Sequence, residues 1–130
     1  MSMNDPLANG VSAILNREAR MKQDVLLKPI SKMLLRVLEI LKDNLYLGEA
    51  TVTKDAKGDY ATVALLGKIN KCNVIRPRYA VQCVDIERFE KRYLPAKDFG
   101  VLIISTHQGI MTHHEAKKKG IGGRLIAYCY

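Results

Sequence analysis

Three histidines, His107, His113 and His114, are the side chains of this sequence best suited to metal or acid–base chemistry. His113 and His114 are adjacent at the predicted start of a helix, so their side chains diverge by about 100° and are poor joint ligands for one ion. A helical zinc site needs ligands three or four residues apart, whereas Glu115 directly follows His114. The spacing therefore argues against a metal site, and we expect no metal and no cofactor.

Ser105 is the one candidate for a hydrolase nucleophile, because His107 and Asp98 lie close to it in the chain. A strand-to-helix nucleophile turn has the pattern Gly-x-Ser-x-Gly, but here Ile103 and His107 occupy the two glycine positions. We therefore expect no catalytic residue and interpret the protein as a non-enzyme.

Cys72, Cys83 and Cys129 are an odd number of cysteines and contain no Cys-x-x-Cys pair. Neither a disulfide framework nor a zinc ribbon is compatible with this spacing. Free cysteine is among the most buried residue types, so we interpret all three as buried free thiols.

The polar stretch from Ser105 to Gly109 suits a different chemistry, hydrogen bonding to nucleic acid. Hydroxyl groups both donate and accept, so Ser105 and Thr106 fit base edges, phosphates and 2′-hydroxyls alike. They follow the apolar run Val101–Ile104, which predicts a strand buried on both faces and therefore a rigid support. The alternative is that these hydroxyls bind the backbone of their own turn.

Glycines cluster near the end of the chain, at positions 120, 122 and 123. Gly120 follows a predicted helix and is typical of a left-handed helix end. Gly122 and Gly123 lie between Lys119 and Arg124, so the pair predicts either an ordinary turn or close approach of a sugar–phosphate backbone.

The net charge of +8 is concentrated in the second half of the chain. Residues 1–66 contain 9 basic and 8 acidic residues, whereas residues 67–130 contain 12 basic and 5 acidic residues. Such asymmetry indicates a polyanionic partner bound mainly by the second half. A basic surface that only maintains solubility is the alternative.

Periodicity and turn residues predict an α/β protein made of two small α+β halves, residues 1–66 and 67–130. The first half reads as helix, strand, helix and hairpin, and the second as mostly β with short helices. In the first half we expect a helix from Pro6 capped by Asn4 or Asp5, a strand Val25–Leu27, a helix from Ser31 to Leu45, and a hairpin of Thr51–Thr53 and Tyr60–Val63 with Lys54 and Lys57 at its tip.

The second half begins with residues 67–78, where Gly, Lys, Asn and Pro interrupt the periodicity. Thr112 and Glu115 have the spacing of a capping box. No apolar run approaches the length of a membrane span, and the N-terminus lacks the order of a signal peptide, so we expect a cytosolic protein. The predicted elements are a strand Tyr79–Val84, a helix from Asp85 to Tyr93, the strand Val101–Ile104, a helix from Thr112 to Lys119 and a strand Leu125–Tyr130.

Three segments of this sequence resemble the S-eight family (uS8) of small-subunit ribosomal proteins. The most specific is Gly100–Gly123, which places a strand, a hydroxyl loop, a glycine, a capped helix and a double glycine in the order that the family has. The opening Asp5-Pro6-Leu7-Ala8-Asn9 with Ile14-Leu15-Asn16, and the pair Ser31-Lys32, are similar to the family's first and second helix starts.

The resemblance implies a two-domain α/β protein that binds the central domain of small-subunit ribosomal RNA and supports early assembly of the platform. It implies that Ser105 and Thr106 read an irregular RNA helix from its minor-groove side and that Gly122 and Gly123 close this site. It also implies RNA backbone contacts from Asn4, Ser31 and Lys32. Implied partners are this RNA, neighbouring ribosomal proteins and the protein's own messenger RNA.

The sequence departs from bacterial members of that family in three places. His107 replaces a second serine, Tyr130 replaces a terminal tryptophan, and Arg76–Asp98 contains an extra predicted helix. These features resemble archaeal or eukaryotic-type members.

A free-standing regulator that binds double-stranded RNA, or a translational repressor, is the alternative function. The predicted RNA-binding residues are Ser105, Thr106, His107, Gln108, Gly122, Gly123, Arg124, Lys118, Asn4, Ser31, Lys32 and Lys54.

Overall fold

The computed structural model describes residues 6–28, 30–76, 78–96 and 99–130. Within these ranges the chain forms four α-helices and two antiparallel sheets, which confirms the predicted α/β class. The chain divides into two compact units, the first ending at Ile69 and the second beginning at Asn70. In the described part of the chain, no helix is long and apolar enough to cross a membrane.

The first unit has the predicted order of helix, strand, helix and hairpin. Its three strands pair antiparallel in the order β1-β3-β2. Its elements are α1 Pro6–Ala19, β1 Asp24–Leu27, α2 Lys32–Asp43, β2 Leu47–Thr53 and β3 Tyr60–Leu65.

The core of the first unit lies between the two helices and one face of this sheet. Apolar residues recur every three or four positions along α1 and α2 and every second position along β1, so each element buries one face. The buried side chains are Leu7, Val11, Ile14, Val25, Leu27, Leu34, Val37, Leu38, Ile40, Leu41, Leu47, Ala61, Val63 and Ile69.

Helix α2 ends at Asp43, so the prediction that it continues to Leu45 is wrong. The Leu45 N–H donates to the Lys42 carbonyl and the Tyr46 N–H donates to the Leu41 carbonyl, at 3.0 and 2.9 Å. This is the Schellman pattern, in which the residue after the cap adopts a left-handed conformation. Leu45 has a φ of +66° and is 72% exposed, because the reversed backbone turns its side chain away from the apolar face.

The second unit is mostly β with short helices, as predicted. Strand β8 pairs with β6 on one side and with β4 and β5 on the other, and β7 pairs with the outer side of β6. The elements are β4 Cys72–Val74, β5 Ala80–Val81, a 3₁₀ turn Cys83–Asp85, α3 Ile86–Tyr93, β6 Val101–Thr106, β7 Gly109–Thr112, α4 His113–Lys119 and β8 Gly123–Cys129.

Three strands of the second unit differ from the prediction. The expected strand Tyr79–Val84 is reduced to Ala80–Val81, because only these residues pair with β8 before the chain enters the 3₁₀ turn. Strands β4 and β7 were not predicted, since three or four residues are too few to show alternation. Cys72 and Cys129 are buried, whereas Cys83 at the 3₁₀ turn is only half-buried, so the expectation of three buried thiols is wrong for Cys83.

A single apolar cluster fills the second unit. Leu102 and Ile104 of β6 and Leu125 of β8 are completely buried within it, together with Ile86 of α3 and Ala116 of α4. The two helices therefore cover the same face of the sheet. This packing holds β6 and β8 rigidly where they meet at Ser105 and Arg124.

Candidate nucleic-acid interface

The turn between β6 and β7 presents the predicted hydroxyl loop. Ser105 and Thr106 are the last paired residues of β6, opposite Ile110 and Gly109, and His107 and Gln108 form the tip. The Thr106 hydroxyl donates to the Gly109 carbonyl at 2.8 Å and accepts from the Gln108 N–H at 3.1 Å. Thr106 therefore stabilises the turn itself, which is the alternative that the sequence left open for this residue.

Ser105 is placed differently. It is half-buried, and among the described residues its hydroxyl has no hydrogen-bond partner. Its neighbour across the sheet is Arg124 of β8, whose side chain is exposed. Directly opposed residues of antiparallel strands share one face, with Cβ atoms about 5 Å apart. The fold thus brings an unused hydroxyl and an exposed guanidinium together from distant parts of the sequence.

His107 and Gln108 are exposed at the tip of the turn. The Gln108 Nε2 atom lies 3.5 Å from the His107 Nε2 atom, so the two side chains lie side by side. Because Thr106 holds the backbone beneath them, both are presented in a defined position at the same end of the sheet.

Gly122 and Gly123 are required by packing inside the protein. A Cβ at Gly122 would overlap the Val81 carbonyl oxygen and lie 2.9 Å from the Gln82 Cα. A Cβ at Gly123 would overlap the Ser105 carbonyl oxygen and lie 3.0 Å from the Ile104 Cγ2. The close approach that the sequence predicts at this pair is therefore made by the protein's own backbone.

The three lysines at the end of α4 have different environments. Lys118 and Lys119 are exposed, whereas Lys117 forms an ion pair with the Glu90 Oε1 atom of α3. The Glu90 side chain is only 5% exposed. Lys117 therefore compensates a buried charge inside the protein, whereas Lys118 and Lys119 are accessible to solvent.

His113 lies in the core at the start of α4 and is fully buried. Its Nδ1 atom accepts a hydrogen bond from the Leu102 N–H at 3.0 Å, which leaves the ring proton on Nε2, 3.8 Å from the Glu90 Oε1. Burial, with a contribution from the neighbouring His114, lowers the pKa of His113 to about 4. His113 therefore joins α4 to β6 as a neutral ring. Within the described ranges no cluster of side chains is suited to a metal ion.

We expect stability to fall between pH 7 and pH 5 because of His113. The ring binds a proton near pH 6.5 when unfolded but only near pH 4 when folded, so the unfolded state takes up more protons in this interval. This difference lowers the free energy of unfolding by about 2 kcal/mol between pH 7 and pH 5. Urea unfolding at several pH values measures it. His113→Asn keeps an acceptor for the Leu102 N–H and should remove most of the pH dependence; an unchanged dependence in that variant would contradict the assignment.

The candidates in the first unit lie at the starts and ends of its elements. Ser31 caps α2, because its hydroxyl accepts from the Leu34 N–H at 3.1 Å. Lys32 begins that helix and Lys54 follows β2, and both are exposed. Asn4 and Asp5, the predicted caps of α1, and Asp98 of the hydrolase hypothesis lie outside the described residues.

One feature of the second unit was missed from sequence. Three arginines precede aromatic residues, as Arg78-Tyr79, Arg88-Phe89 and Arg92-Tyr93. The structure places the Arg88 guanidinium over the Phe89 ring and the Arg92 guanidinium over the Tyr79 and Tyr93 rings. The repeated arginine–aromatic dipeptide was the signal that could have revealed it.

The chain matches a known protein family. The model of a family described as ribosomal protein S8 matches residues 5–130. The match covers both units and includes every candidate RNA-binding residue that the structure describes.

Proposed function

This chain belongs to the ribosomal protein S8 family, and from that premise we propose that it binds the central domain of small-subunit ribosomal RNA and supports assembly of the platform. The family consists of structural, RNA-binding ribosomal proteins, so ribosomal RNA and other ribosomal proteins are its partners. We place the protein in ribosomes of the cytoplasm. Helix α3 and Tyr130 favour the archaeal or eukaryotic-type branch.

The observation that carries this proposal is the pairing of Ser105 with Arg124 on one face of the sheet. An unused hydroxyl can read a base edge or a 2′-hydroxyl, while the adjacent guanidinium binds phosphate. Thr106 holds the turn in place, so His107 and Gln108 approach the RNA without first being ordered. Gly122 and Gly123 allow the backbones around this pair to come close enough to present both groups.

Basic residues supply the remaining, less selective attraction. These basic residues are Lys118 and Lys119 of the second unit and Lys32 and Lys54 of the first. Contacts of this kind weaken with salt, with a slope of roughly −0.7 to −0.9 per neutralised phosphate. Lys117 is excluded from this set because it pairs with Glu90. Asn4 and Ser31 are proposed as uncharged contacts to the RNA backbone. Binding to the protein's own messenger RNA would use the same surface.

We expect Ser105→Ala to weaken binding to small-subunit ribosomal RNA by about 2- to 12-fold, the equivalent of one hydrogen bond. The loss should be equal at low and high salt, and thermal stability should not change, because this hydroxyl has no partner within the described residues. Thr106→Ala should also lower thermal stability, since its hydroxyl makes two bonds in the turn.

Lys118→Ala is the matched control for an electrostatic contact. It should weaken cognate and unrelated RNA alike and reduce the salt slope by at most about one unit. Filter binding of each variant to both RNAs at two salt concentrations separates the two behaviours. Parental affinity of Ser105→Ala for the cognate RNA would show that this strand end is not the recognition site.

A further inference from the structure

The segment around α3 carries guanidinium groups stacked on aromatic rings. The Arg92 guanidinium lies 5.3 Å from the centre of the Tyr79 ring and 5.6 Å from that of Tyr93. The Arg88 guanidinium lies 5.6 Å from the centre of the Phe89 ring. Such distances are those of cation–π pairs, which orient the planar guanidinium before any ligand binds.

These arginines remain accessible to a partner. Arg78, Arg88 and Arg92 are all exposed, and Arg92 has no carboxylate partner among the described residues. Arg88 pairs weakly with Asp85 at 3.7 Å, and its side chain is 74% exposed. A guanidinium that contacts two rings and has no carboxylate partner in the described part of the chain can bind a planar or bidentate anion.

The backbone that leads into this segment adjoins β8, the strand that carries Arg124. Ala80 of β5 is the neighbour of Arg124 across the sheet, on the side opposite to Ser105. The Leu125 N–H donates to the Tyr79 carbonyl at 3.0 Å. Tyr79 lies opposite Leu125 and shares the helix-covered face of the sheet with it, whereas Ala80, Arg124 and Ser105 lie on the other face.

We propose that this arginine–aromatic surface, defined as Arg78, Tyr79, Arg88, Arg92 and Tyr93, is a second RNA contact that binds the phosphodiester backbone on the helix-covered side of the second sheet. This inference rests on the proposed function and extends it from the face that carries Ser105 to the other side of the sheet. Arg92 is the central residue, since its guanidinium contacts both tyrosine rings. Arg78 and Arg88 add charge on either side.

RNA fits this surface better than an acidic protein segment does. A guanidinium can bind phosphate through two parallel hydrogen bonds, and neighbouring tyrosine rings can stack on an unpaired base. The surface also belongs to the half of the chain that carries most of the net positive charge, which favours a polyanion. An acidic segment of a neighbouring ribosomal protein is the competing partner.

The test uses the full-length protein and a central-domain fragment of small-subunit ribosomal RNA, with hydroxyl-radical footprints and dissociation constants. Arg92→Ala should weaken binding about 5- to 20-fold and remove one protected patch of RNA backbone. Arg92→Lys keeps a cation near the rings but loses the bidentate geometry, so it should restore the salt slope more than the affinity. Lys91→Ala, an exposed cation of α3 without a ring contact among the described residues, should change binding less than 2-fold.

Ser105→Ala, measured in parallel, should affect a different patch of the footprint. If Arg92→Ala and Arg92→Lys keep the parental footprint and affinity while Ser105→Ala is weakened, the second contact is refuted and the proposed function remains. Unchanged RNA binding of the Arg92 variants is also the result expected if this surface binds an acidic protein segment instead of RNA. If Ser105→Ala also binds as the parent does, the recognition site of the proposed function fails as well. If Arg92→Ala lowers the melting temperature, the RNA affinity and footprint of Arg92→Lys are the test of the second contact, because lysine retains a charge beside the tyrosines.

Discussion

Replacing Gly123 by alanine is expected to lower the free energy of unfolding by about 3 kcal/mol, at the upper end of what overpacking costs. The added Cβ would overlap the Ser105 carbonyl oxygen and lie 2.9 Å from its carbonyl carbon. Relief requires β6 and β8 to separate, and these strands form the centre of the second sheet. Because backbone rather than a flexible side chain is in the way, neither strand can adjust without weakening its pairing.

Gly120→Ala is the matched control for this substitution. Gly120 has a φ of +69°, but no atom lies within 4 Å of the position its Cβ would take. Its replacement should cost only the left-handed conformation, about 1 kcal/mol. Guanidinium unfolding of both variants gives the comparison. Equal stability of Gly123→Ala and Gly120→Ala would mean that the close approach of β8 to Ser105 is not as tight as the structure indicates.

Replacing Lys117 by alanine is expected to lower the free energy of unfolding by about 3 kcal/mol. The change leaves the Glu90 carboxylate, at 5% exposure, without its counterion beside the neutral His113 ring. We expect the lower end of the range for broken buried pairs, since Lys117 itself is 28% exposed. Lys118→Ala, one residue further, should change stability by less than about 0.5 kcal/mol because that side chain is exposed.

For RNA binding, we expect Lys118→Ala to have the larger effect and Lys117→Ala the smaller one, the reverse of their effects on stability. At temperatures where both variants are folded, Lys118→Ala should reduce the salt slope and Lys117→Ala should not. Adding Glu90→Gln to Lys117→Ala removes the uncompensated charge and should recover part of the stability. Equal stabilities of the two single variants, or no recovery in the double variant, would contradict a structural role for the Lys117–Glu90 pair.

Most of the fold could be predicted from the sequence because its signals are local. Ser31 caps α2 and Thr112 caps α4, through hydrogen bonds to the N–H groups of Leu34 and Glu115 three residues later. Gly120 ends α4 in the left-handed conformation. Helical periodicity placed both long helices of the first unit, and the apolar run Val101–Ile104 placed the buried strand. Each of these features depends on residues within about four positions of one another.

The errors occurred where local signals conflict or are too short. Leu45 continues the apolar period of α2, yet the chain reverses at that residue through a left-handed turn that usually contains glycine. Tyr79–Val84 has strand-forming residues, but β8 offers pairing positions to only Ala80 and Val81. Strand β4 exists because Cys72–Val74 can pair with the end of β8, which no property of those three residues indicates.

The sequence by itself determined the family, the fold class and the polar residues at the end of β6. Only the tertiary structure decided what those residues do. It paired Ser105 with Arg124 and used the Thr106 hydroxyl for a hydrogen bond in its own turn. It also gave Lys117 an ion pair with Glu90 while Lys118 stayed exposed. Composition and spacing describe residues that are neighbours in the chain, whereas strand register and burial come from contacts between distant segments. Whether a hydroxyl or an ammonium group is available to RNA depends on those contacts, because a group already paired inside the protein has little left to offer a partner.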